Sequence, residues 1–300
     1  MIHQSVLLKE SLDFLNPKPN ENFIDATFGA AGHSLAILEK TKPKGKVLAI
    51  DWWEESIKHG KSLKEQEPEI KERLFLVEGN FAQIKEFVEK FKFKPVNGIL
   101  FDLGLSSDIL QASGRGFSYQ RDEILDMRYN QKQISILARD ILNKAKEKEL
   151  ENIFKNFGEE RFSRKIAKTI VQIRKKEKFL TTKQLVRAIE IALYKKPDQK
   201  RVHPKILARI FQSLRIAVNK ELENLEKALD SSLEILAKKG RIVVISYHSL
   251  EDRIVKNKFR EASKLGLGRI LTKKPIQPTE EEVKINPRAR SAKLRAIEKI

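Results

Sequence analysis

The feature that most constrains the fold of this chain is the alternation, over its first hundred residues, of short β-rich runs with helical stretches. Such alternation is typical of βαβ units, in which helices cover both faces of a parallel sheet. The first part of the chain is therefore predicted to have an α/β fold. The predicted strands cover 23–27, 46–51, 74–77 and 96–102, and the predicted helices cover 34–39, 54–66 and 82–91.

This alternation stops after the fourth predicted strand. No strand is predicted between 111 and 210, and a long helix is predicted from Phe211 to Leu236. The run 240–247 then fits as a fifth strand of the first sheet. In the predicted organisation the core comprises 1–110 and 211–300, and an inserted helical domain comprises 111–210. Helices are predicted over 134–143, 150–157, 162–174 and 183–192, a loop-rich tail over 261–290 and an edge strand over 291–299.

The charge of the chain points to a polyanionic partner. The net charge is +19, of which residues 161–210 carry +13 and residues 241–300 carry +8. A surface of balanced Lys–Glu ion pairs would be near neutral, so two basic blocks favour a nucleic-acid surface. With no Cys there is neither a disulfide framework nor a Cys nucleophile. Since neither a signal peptide nor a long apolar run is recognisable, we expect a cytoplasmic protein that does not contact a membrane.

The loop after the first predicted strand has the composition of a nucleotide site. It reads Asp25-Ala-Thr-Phe-Gly-Ala-Ala-Gly-His33 and precedes a helix, so the backbone can approach a ligand closely. Asp51, at the end of the second strand, suits two ribose hydroxyls, and Trp52 and Trp53 offer apolar surface for adenine. The alternative is a tight strand–helix turn with capping acids.

The same loop lacks two familiar phosphate-binding signatures. Neither the full G-x-G-x-x-G fingerprint nor a P-loop lysine is present, and Asp25 would repel a pyrophosphate. An acid at Asp25 suits the amino group or the sulfonium of S-adenosylmethionine. The residues therefore favour a methyltransferase over a dehydrogenase or a nucleoside triphosphatase.

Nine ordered segments make the chain resemble the bacterial 16S ribosomal RNA cytosine-N4 methyltransferases. The resemblance spans nearly the whole length of the chain. The segments are His3–Leu8, Asp25–His33, Asp102–Ser107, Arg115–Ser118, Leu125–Arg128, Gly158–Arg161, Phe211–Arg215 with Asn219–Leu222, His248–Arg253 and Asn286–Ser291.

This resemblance implies a class I, Rossmann-like methyltransferase core with an inserted helical substrate-recognition domain. It implies methyl transfer from S-adenosylmethionine to N4 of a cytosine in the decoding region of 16S rRNA, within the small ribosomal subunit. Two positions depart from the family pattern: Ala31 replaces a glycine, which is tolerable if its φ is negative, and Ile109 replaces a glutamine. The implied cofactor contacts are Ala31, Gly32, His33, Asp51, Phe81 and Asp102.

The proposed catalytic residue is Asp102, which would orient the amine or the cofactor, and its alternative role is to cap a turn. The alternatives for the other candidates are helix capping, packing of the insertion, or surface salt bridges. No metal site is expected, because the acids near His248 lack a matching ligand cluster. The candidate substrate contacts are Ser106, Ser107, Arg115, Phe117, Arg128, His248, Arg288 and Arg290.

The basic stretch 161–210 is the predicted rRNA backbone footprint, since phosphate contacts supply affinity without sequence choice. Three other functions stay open at this point: methylation of DNA amines, RNA binding or ribosome assembly without catalysis, and nicotinamide-dependent oxidoreduction. The incomplete glycine fingerprint disfavours the last of these. The sequence makes no prediction of oligomeric state.

Overall fold

The computed structural model of the chain describes residues 5–105, 113–194 and 202–300. The chain divides into two compact units. The core unit comprises Met1–Gly104 and Leu222–Ile300, and the inserted unit comprises Leu105–Glu221.

The core unit is built on a seven-stranded sheet with the order β3-β2-β1-β4-β5-β7-β6. Strands β1 to β5 are parallel, whereas β7 runs antiparallel to both β5 and β6. The order 3-2-1-4-5 is that of a Rossmann sheet, whose direction of winding reverses between β1 and β4. The predicted α/β fold class is confirmed. The strands are β1 Phe23–Asp25, β2 Val47–Asp51, β3 Leu74–Glu78, β4 Val96–Asp102, β5 Leu236–Ser246, β6 Gly268–Ile270 and β7 Lys293–Lys299.

Helices cover both faces of the sheet, and each face has its own apolar cluster. Phe101 and Val244 belong to one cluster with Phe259, and Leu100 and Ile245 belong to the other. Neighbouring residues of a strand point to opposite faces, which explains this division. The helices in chain order are α1 Leu8–Leu15, α2 Gly32–Lys40, α3 Glu54–Gln66, α4 Pro68–Lys71, α5 Ile84–Lys90, α6 Ala138–Lys144, α7 Glu147–Asn156, α8 Ser163–Arg174, α9 Thr182–Leu193, α10 Pro204–Asn219, α11 Glu221–Ile235, α12 Ser249–Lys264 and α13 Glu280–Ile285.

The described residues of the inserted unit are mainly helical between 138 and 219, whereas 113–137 are irregular. Its helices are amphipathic; in α8, Ile166, Ala167 and Ile170 are buried. The only extended pairing in these described residues is an isolated bridge between Ile124 and Thr181. No described helix of either unit is both long and apolar enough to cross a membrane.

Three predictions about elements are wrong. The predicted single helix from Phe211 to Leu236 is two helices, α10 and α11, separated at Lys220, whose φ of 51° is left-handed. The predicted loop-rich stretch 261–290 contains the end of α12, strand β6 and helix α13. The predicted edge strand at the C-terminus is β7, but β6 pairs with its outer side, so β7 is internal to the sheet.

Candidate functional site

The loop between β1 and α2 is fixed at the point where the sheet reverses its winding. The Ala26 N–H donates to Leu100 O on β4, and the Phe28 N–H donates to Ile50 O on β2, both at 2.9 Å. The loop is therefore tied to both neighbours of β1. Ligands of open α/β sheets bind outside the carboxyl ends of the strands at such a reversal.

Ala31 and Gly32 start helix α2 in a tightly packed turn. Ala31 has φ +72° and is fully buried, so the condition of a negative φ is not met and the residue is held in the left-handed region. A Cβ added at Gly32 would lie 2.0 Å from Ser5 Oγ, so a larger residue here requires the Ser5 side chain to move. The first-turn N–H groups of a helix have no partner within the helix, and α2 thus offers donors to a polar ligand.

Asp51 ends β2 as an acceptor beside this loop. Its carboxylate accepts the Gly29 N–H at 2.7 Å and the Trp53 N–H at 2.8 Å. Burial nevertheless raises the pKa of Asp51 to about 6, because desolvation of the charged form outweighs these hydrogen bonds. Of the two tryptophans predicted to face adenine, Trp53 is buried in the protein, and Trp52 is half-buried.

Asp25 does not face a ligand in the way the sequence suggests. Its side chain is fully buried, one oxygen accepting the Ser34 hydroxyl at 2.7 Å and the other the Thr27 N–H at 3.2 Å. Burial raises the pKa of Asp25. These contacts favour a structural role over the predicted contact with an amino group or a sulfonium. Asp25 stabilises the loop through its hydrogen bonds to Thr27 and Ser34.

Asp102, at the end of β4, lies where three elements of the core unit meet. Its backbone N–H donates to Thr27 Oγ1 at 2.6 Å, and its carboxylate accepts the Tyr247 hydroxyl at 2.7 Å. On the other side His33 Nδ1 lies 3.9 Å from Asp102 Oδ2, while His33 Nε2 lies 3.2 Å from the Val6 carbonyl oxygen. A carbonyl only accepts, so Nε2 carries a proton and donates it to Val6.

Tyr247 is held firmly against Asp102. A Cβ at Gly104 would lie 2.7 Å from the Tyr247 ring, so the ring packs directly on the glycine backbone. The Tyr247 N–H donates to the buried Glu251 carboxylate at 2.8 Å. Burial first, and then the nearby Asp102, raises the pKa of Tyr247 well above its ordinary value. The hydroxyl therefore stays protonated and remains a donor to Asp102.

The other predicted site residues of the core unit differ in position: one packs beside the strand that ends in Asp102, one caps a helix and two are exposed. Phe81 follows β3 in a short 3₁₀ turn and packs edge-on against Phe101, the residue before Asp102, with centroids 5.8 Å apart. His248 caps helix α12 with its side chain, which favours the structural alternative. Arg288 and Arg290 are exposed on a 3₁₀ turn.

The predicted residues of the inserted unit are engaged within that unit. Arg128 makes a two-point contact with Asp126, at 2.6 and 2.8 Å. Phe117 is buried and stacks on Tyr129, with centroids 5.6 Å apart. Arg115 lies 3.4 Å from two backbone carbonyl oxygens. These contacts favour the packing alternative for all three. Ser106, Ser107 and Ile109 lie outside the described residues.

The arrangement suits a nucleoside cofactor with a polar tail. Asp51 presents carboxylate oxygens for ribose hydroxyls, and the start of α2 presents N–H donors beside Gly32, where an added side chain would meet Ser5. Asp102 presents an acceptor fixed by Tyr247. Together these groups suit a nucleoside and an amine.

Tyr247 and Thr27 were not among the predicted site residues. Tyr247 and Asp102 are 145 positions apart in the chain. The available signal was that both residues follow or end neighbouring strands, whose carboxyl ends share one edge of the sheet. Strand order is needed to use that signal, and it was not predicted for the fifth strand.

The sequence profile of the MraW methylase family matches residues 1–300. A ribosomal RNA small subunit methyltransferase H from Desulfotalea psychrophila is 44% identical over 299 residues, covering 100% of this chain and 98% of the relative. A protein with the same description from a Sulfurihydrogenibium species is 44% identical over 298 residues, covering 99% of both chains.

Two solved structures are more distantly similar. An rRNA methylase from Streptococcus thermophilus has a TM-score of 0.47 and 12% identity, covering 100% of this chain and 99% of its own. A Streptococcus mutans protein in complex with SAH has a TM-score of 0.49 and 16% identity, covering 100% of both chains.

Proposed function

The chain belongs to the MraW methylase family, and on that premise we propose that it methylates N4 of a cytosine in the decoding region of 16S rRNA, using S-adenosylmethionine. The observation that carries this proposal is the match of the family along residues 1–300, together with full-length relatives described as small-subunit rRNA methyltransferases. The chain is thus an enzyme, an rRNA methyltransferase, and its cofactor is S-adenosylmethionine.

S-adenosylmethionine supplies a methyl group on a sulfonium, which is an electrophile. Asp51 would accept its ribose hydroxyls, and the start of α2 at Gly32 and His33 would receive its polar tail. Phe81, packed on Phe101, would border the adenine. The Ala31 side chain is fully buried, so Ala31 would border the cofactor through its backbone and not through its methyl group.

Asp102 positions the amine that is methylated. The lone pair of a cytosine amine is delocalised into the ring, so the reaction depends on placing N4 in line with the methyl group. One Asp102 oxygen accepts the Tyr247 hydroxyl at 2.7 Å, and the other faces His33 at 3.9 Å. A carboxylate held in this way accepts an N–H of the amine and fixes its direction.

The inserted unit is the proposed substrate-recognition domain. Its helix α8 buries one face and exposes Arg164, Lys165 and Lys168 on the other. These cations belong to the basic stretch 161–210, whose net charge is +13. Such a face suits the phosphates of folded rRNA, which supply affinity and steep salt dependence.

The proposal is tested by methylation of small ribosomal subunits from cells that lack the endogenous enzyme. Naked 16S rRNA and duplex DNA serve as parallel substrates, and nucleosides are analysed by mass spectrometry. N4-methylcytidine at one rRNA position is the expected product. Methylation of DNA alone would refute the assignment of rRNA as the substrate. Cofactor binding without any methylated product would favour an RNA-binding protein that keeps the fold.

A further inference from the structure

A basic groove of about 400 Å³ lies in the core unit between helix α12 and the strands β6 and β7. Helix α12 contributes residues spaced along one face, at positions 256, 259, 260 and 263. Phe259 forms an apolar floor, being only 2% exposed. The lining residues are Lys256, Phe259, Arg260, Ser263, Arg269, Ile270, Thr272, Lys273 and Arg295.

The chain around this groove is strongly cationic. Residues 253–274 contain 8 Lys or Arg residues and a single acid, Glu261, so their net charge is +7. This density is far higher than that of the whole chain, whose net charge of +19 is spread over 300 residues. Four of these eight cations line the groove and give it a positive potential, namely Lys256, Arg260, Arg269 and Lys273.

The acids that approach the groove are already paired. Asp252 accepts Arg295 Nε at 2.6 Å, and Glu298 accepts both Arg241 and Arg269 at 2.9 and 2.8 Å. Within the described residues no ion pair is found for the other three cations of the groove. These are Lys256, Arg260 and Lys273. Their charge is available to an anion.

The groove also carries a neutral donor at its base. Thr272 is 4% exposed, and its Oγ1 accepts the Ala296 N–H at 2.9 Å. Because that bond uses a lone pair of the oxygen, the hydroxyl proton remains available to donate. Donors and cations on a helix, a strand and a loop therefore converge on one space above an apolar floor.

We propose that this groove binds the phosphodiester backbone of rRNA. The proposal rests on the proposed function, and it adds a contact distinct from the methyl-transfer site. Lys256 and Arg260 are one helical turn apart, roughly 6 Å along the axis, and Lys273 lies across the groove. Charges spaced in this way suit successive phosphates of a strand better than one small anion, and the apolar floor suits a ribose.

The groove lies on the other face of the sheet from Asp102. Phe101 shares a cluster with Phe259 of α12, whereas Asp102, the next residue, points to the opposite face. Three strand spacings, roughly 14 Å, separate β4 from β6 in the sheet. A change in the groove therefore leaves the cofactor and Asp102 in place, so its effect on RNA binding can be measured alone.

The test compares two double variants of the full-length protein that remove the same charge. Arg260→Gln with Lys273→Gln neutralises the groove, and Lys61→Gln with Lys71→Gln neutralises two exposed lysines elsewhere on the core unit. Affinity for small ribosomal subunits is measured at several salt concentrations, with SAH binding and thermal unfolding as controls.

The groove variant is expected to bind subunits at least tenfold more weakly and to lower the slope of log K against log salt by about 1–2, since each phosphate contact contributes about 0.7–0.9. SAH affinity and unfolding should match wild type, and Arg260→Lys with Lys273→Arg should restore binding. Equal subunit binding by the groove and control variants would refute the proposal that the groove binds rRNA, while leaving the proposed function intact.

The proposed function fails in a different way. If wild type and both variants bind subunits but none yields N4-methylcytidine, the proposed methylation is refuted. The measured contribution of the groove to subunit binding remains valid. If millimolar inorganic phosphate binds at the groove but the variants bind subunits with the same affinity, the groove is a small-anion site and the proposed RNA contact is refuted.

Discussion

Side chains at the strand ends of the core unit are held in states that their residue types seldom adopt. Asp51 has a pKa of about 6 because it is desolvated, and Ala31 has a left-handed backbone because α2 starts in a closed turn. Tyr247 is a permanent donor to Asp102 because its pKa lies well above its ordinary value. Such departures concentrate at functional sites, where the surrounding structure imposes them.

The first prediction concerns Ala31. Replacing it by valine adds a β-branched side chain at φ +72° in a fully buried position. We expect the free energy of unfolding to fall by about 1–3 kcal/mol, the usual cost of overpacking, because wild-type Ala31 already bears left-handed strain and valine mainly adds volume. Denaturant unfolding measures this change. Ala30→Val is the matched control, because Ala30 is only half-buried, and equal losses for the two variants would refute the strained turn.

The second prediction concerns the pH dependence of cofactor binding. Ribose hydroxyls donate to the ionised Asp51, whose pKa is about 6. Affinity for SAH should therefore be constant above pH 7 and fall by about tenfold per pH unit once Asp51 is protonated. Calorimetric titration from pH 5 to 8 measures it. Asp51→Asn should bind weakly with little pH dependence, and the same pH profile in that variant would exclude Asp51 as the titrating group.

The same shift acts on stability with a defined sign. The folded protein holds the Asp51 proton up to about pH 6, whereas the unfolded chain releases it near 3.8. The contribution of Asp51 to the free energy of unfolding is therefore largest below pH 4 and is lost as the pH rises through about 6. A bound cofactor that hydrogen-bonds to the carboxylate offsets that loss.

The third prediction concerns Tyr247. Tyr247→Phe keeps the ring on Gly104 but removes the hydroxyl 2.7 Å from Asp102. Since a hydrogen bond to a charged group contributes about 1.5–3 kcal/mol, kcat should fall roughly 10- to 100-fold. SAH affinity should change little, whereas the free energy of unfolding should fall, because the same hydrogen bond is present in the free folded protein. An unaltered kcat would show that the hydrogen bond from Tyr247 does not contribute to the orientation of the amine by Asp102.

The elements follow from local sequence wherever the apolar pattern is long and uninterrupted. Helix α3 and strand β4 have the predicted bounds, 54–66 and 96–102, because amphipathic or apolar runs specify them directly. The break at Lys220 was missed because the residues on both sides have good helical periodicity and neither glycine nor proline marks the turn. Strand β6 was missed because it has only three residues, Gly268–Ile270.

The fourth prediction concerns this break between α10 and α11. Lys220 is exposed, with φ 51° and ψ 40°, a conformation that glycine adopts without strain. Lys220→Gly should raise the free energy of unfolding by about 0.5–1 kcal/mol. Lys227→Gly, at an exposed site inside α11, should lower it by about 1 kcal/mol. Losses of the same size at both sites would show that the left-handed residue is not strained.

The molecule as a whole carries its charge unevenly. The inserted unit contains the whole of the basic stretch 161–210, and the C-terminal segment contains a second block. A field of this kind speeds encounter with a polyanion and makes binding sensitive to salt. Substrate choice then depends on rRNA shape, because phosphate contacts carry no sequence information.

The fifth prediction tests the cationic face of α8. Lys165→Gln with Lys168→Gln should weaken subunit binding and lower the salt slope by about 1–2, since each phosphate contact contributes about 0.7–0.9. Lys144→Gln with Lys148→Gln is the control, because these lysines are already paired with Asp140 and Glu151. A salt slope that falls equally in both variants would indicate a general charge effect and not a footprint.

Local residue order is enough to give the α/β class, the acids Asp25, Asp51 and Asp102 at strand ends, the helical insertion and the basic blocks. Periodicity and turn chemistry act over a few residues, so they are readable along the chain. The resemblance of ordered motifs then adds the cofactor and the substrate class.

Folding in three dimensions sets the contacts between residues far apart in the chain. It makes Asp25 a buried brace rather than a ligand, gives Ala31 a positive φ, and brings Tyr247 to Asp102 across 145 positions. These outcomes depend on strand order and on which face each side chain points to. Both arise from packing between elements distant in sequence, a cooperative property that no local pattern encodes.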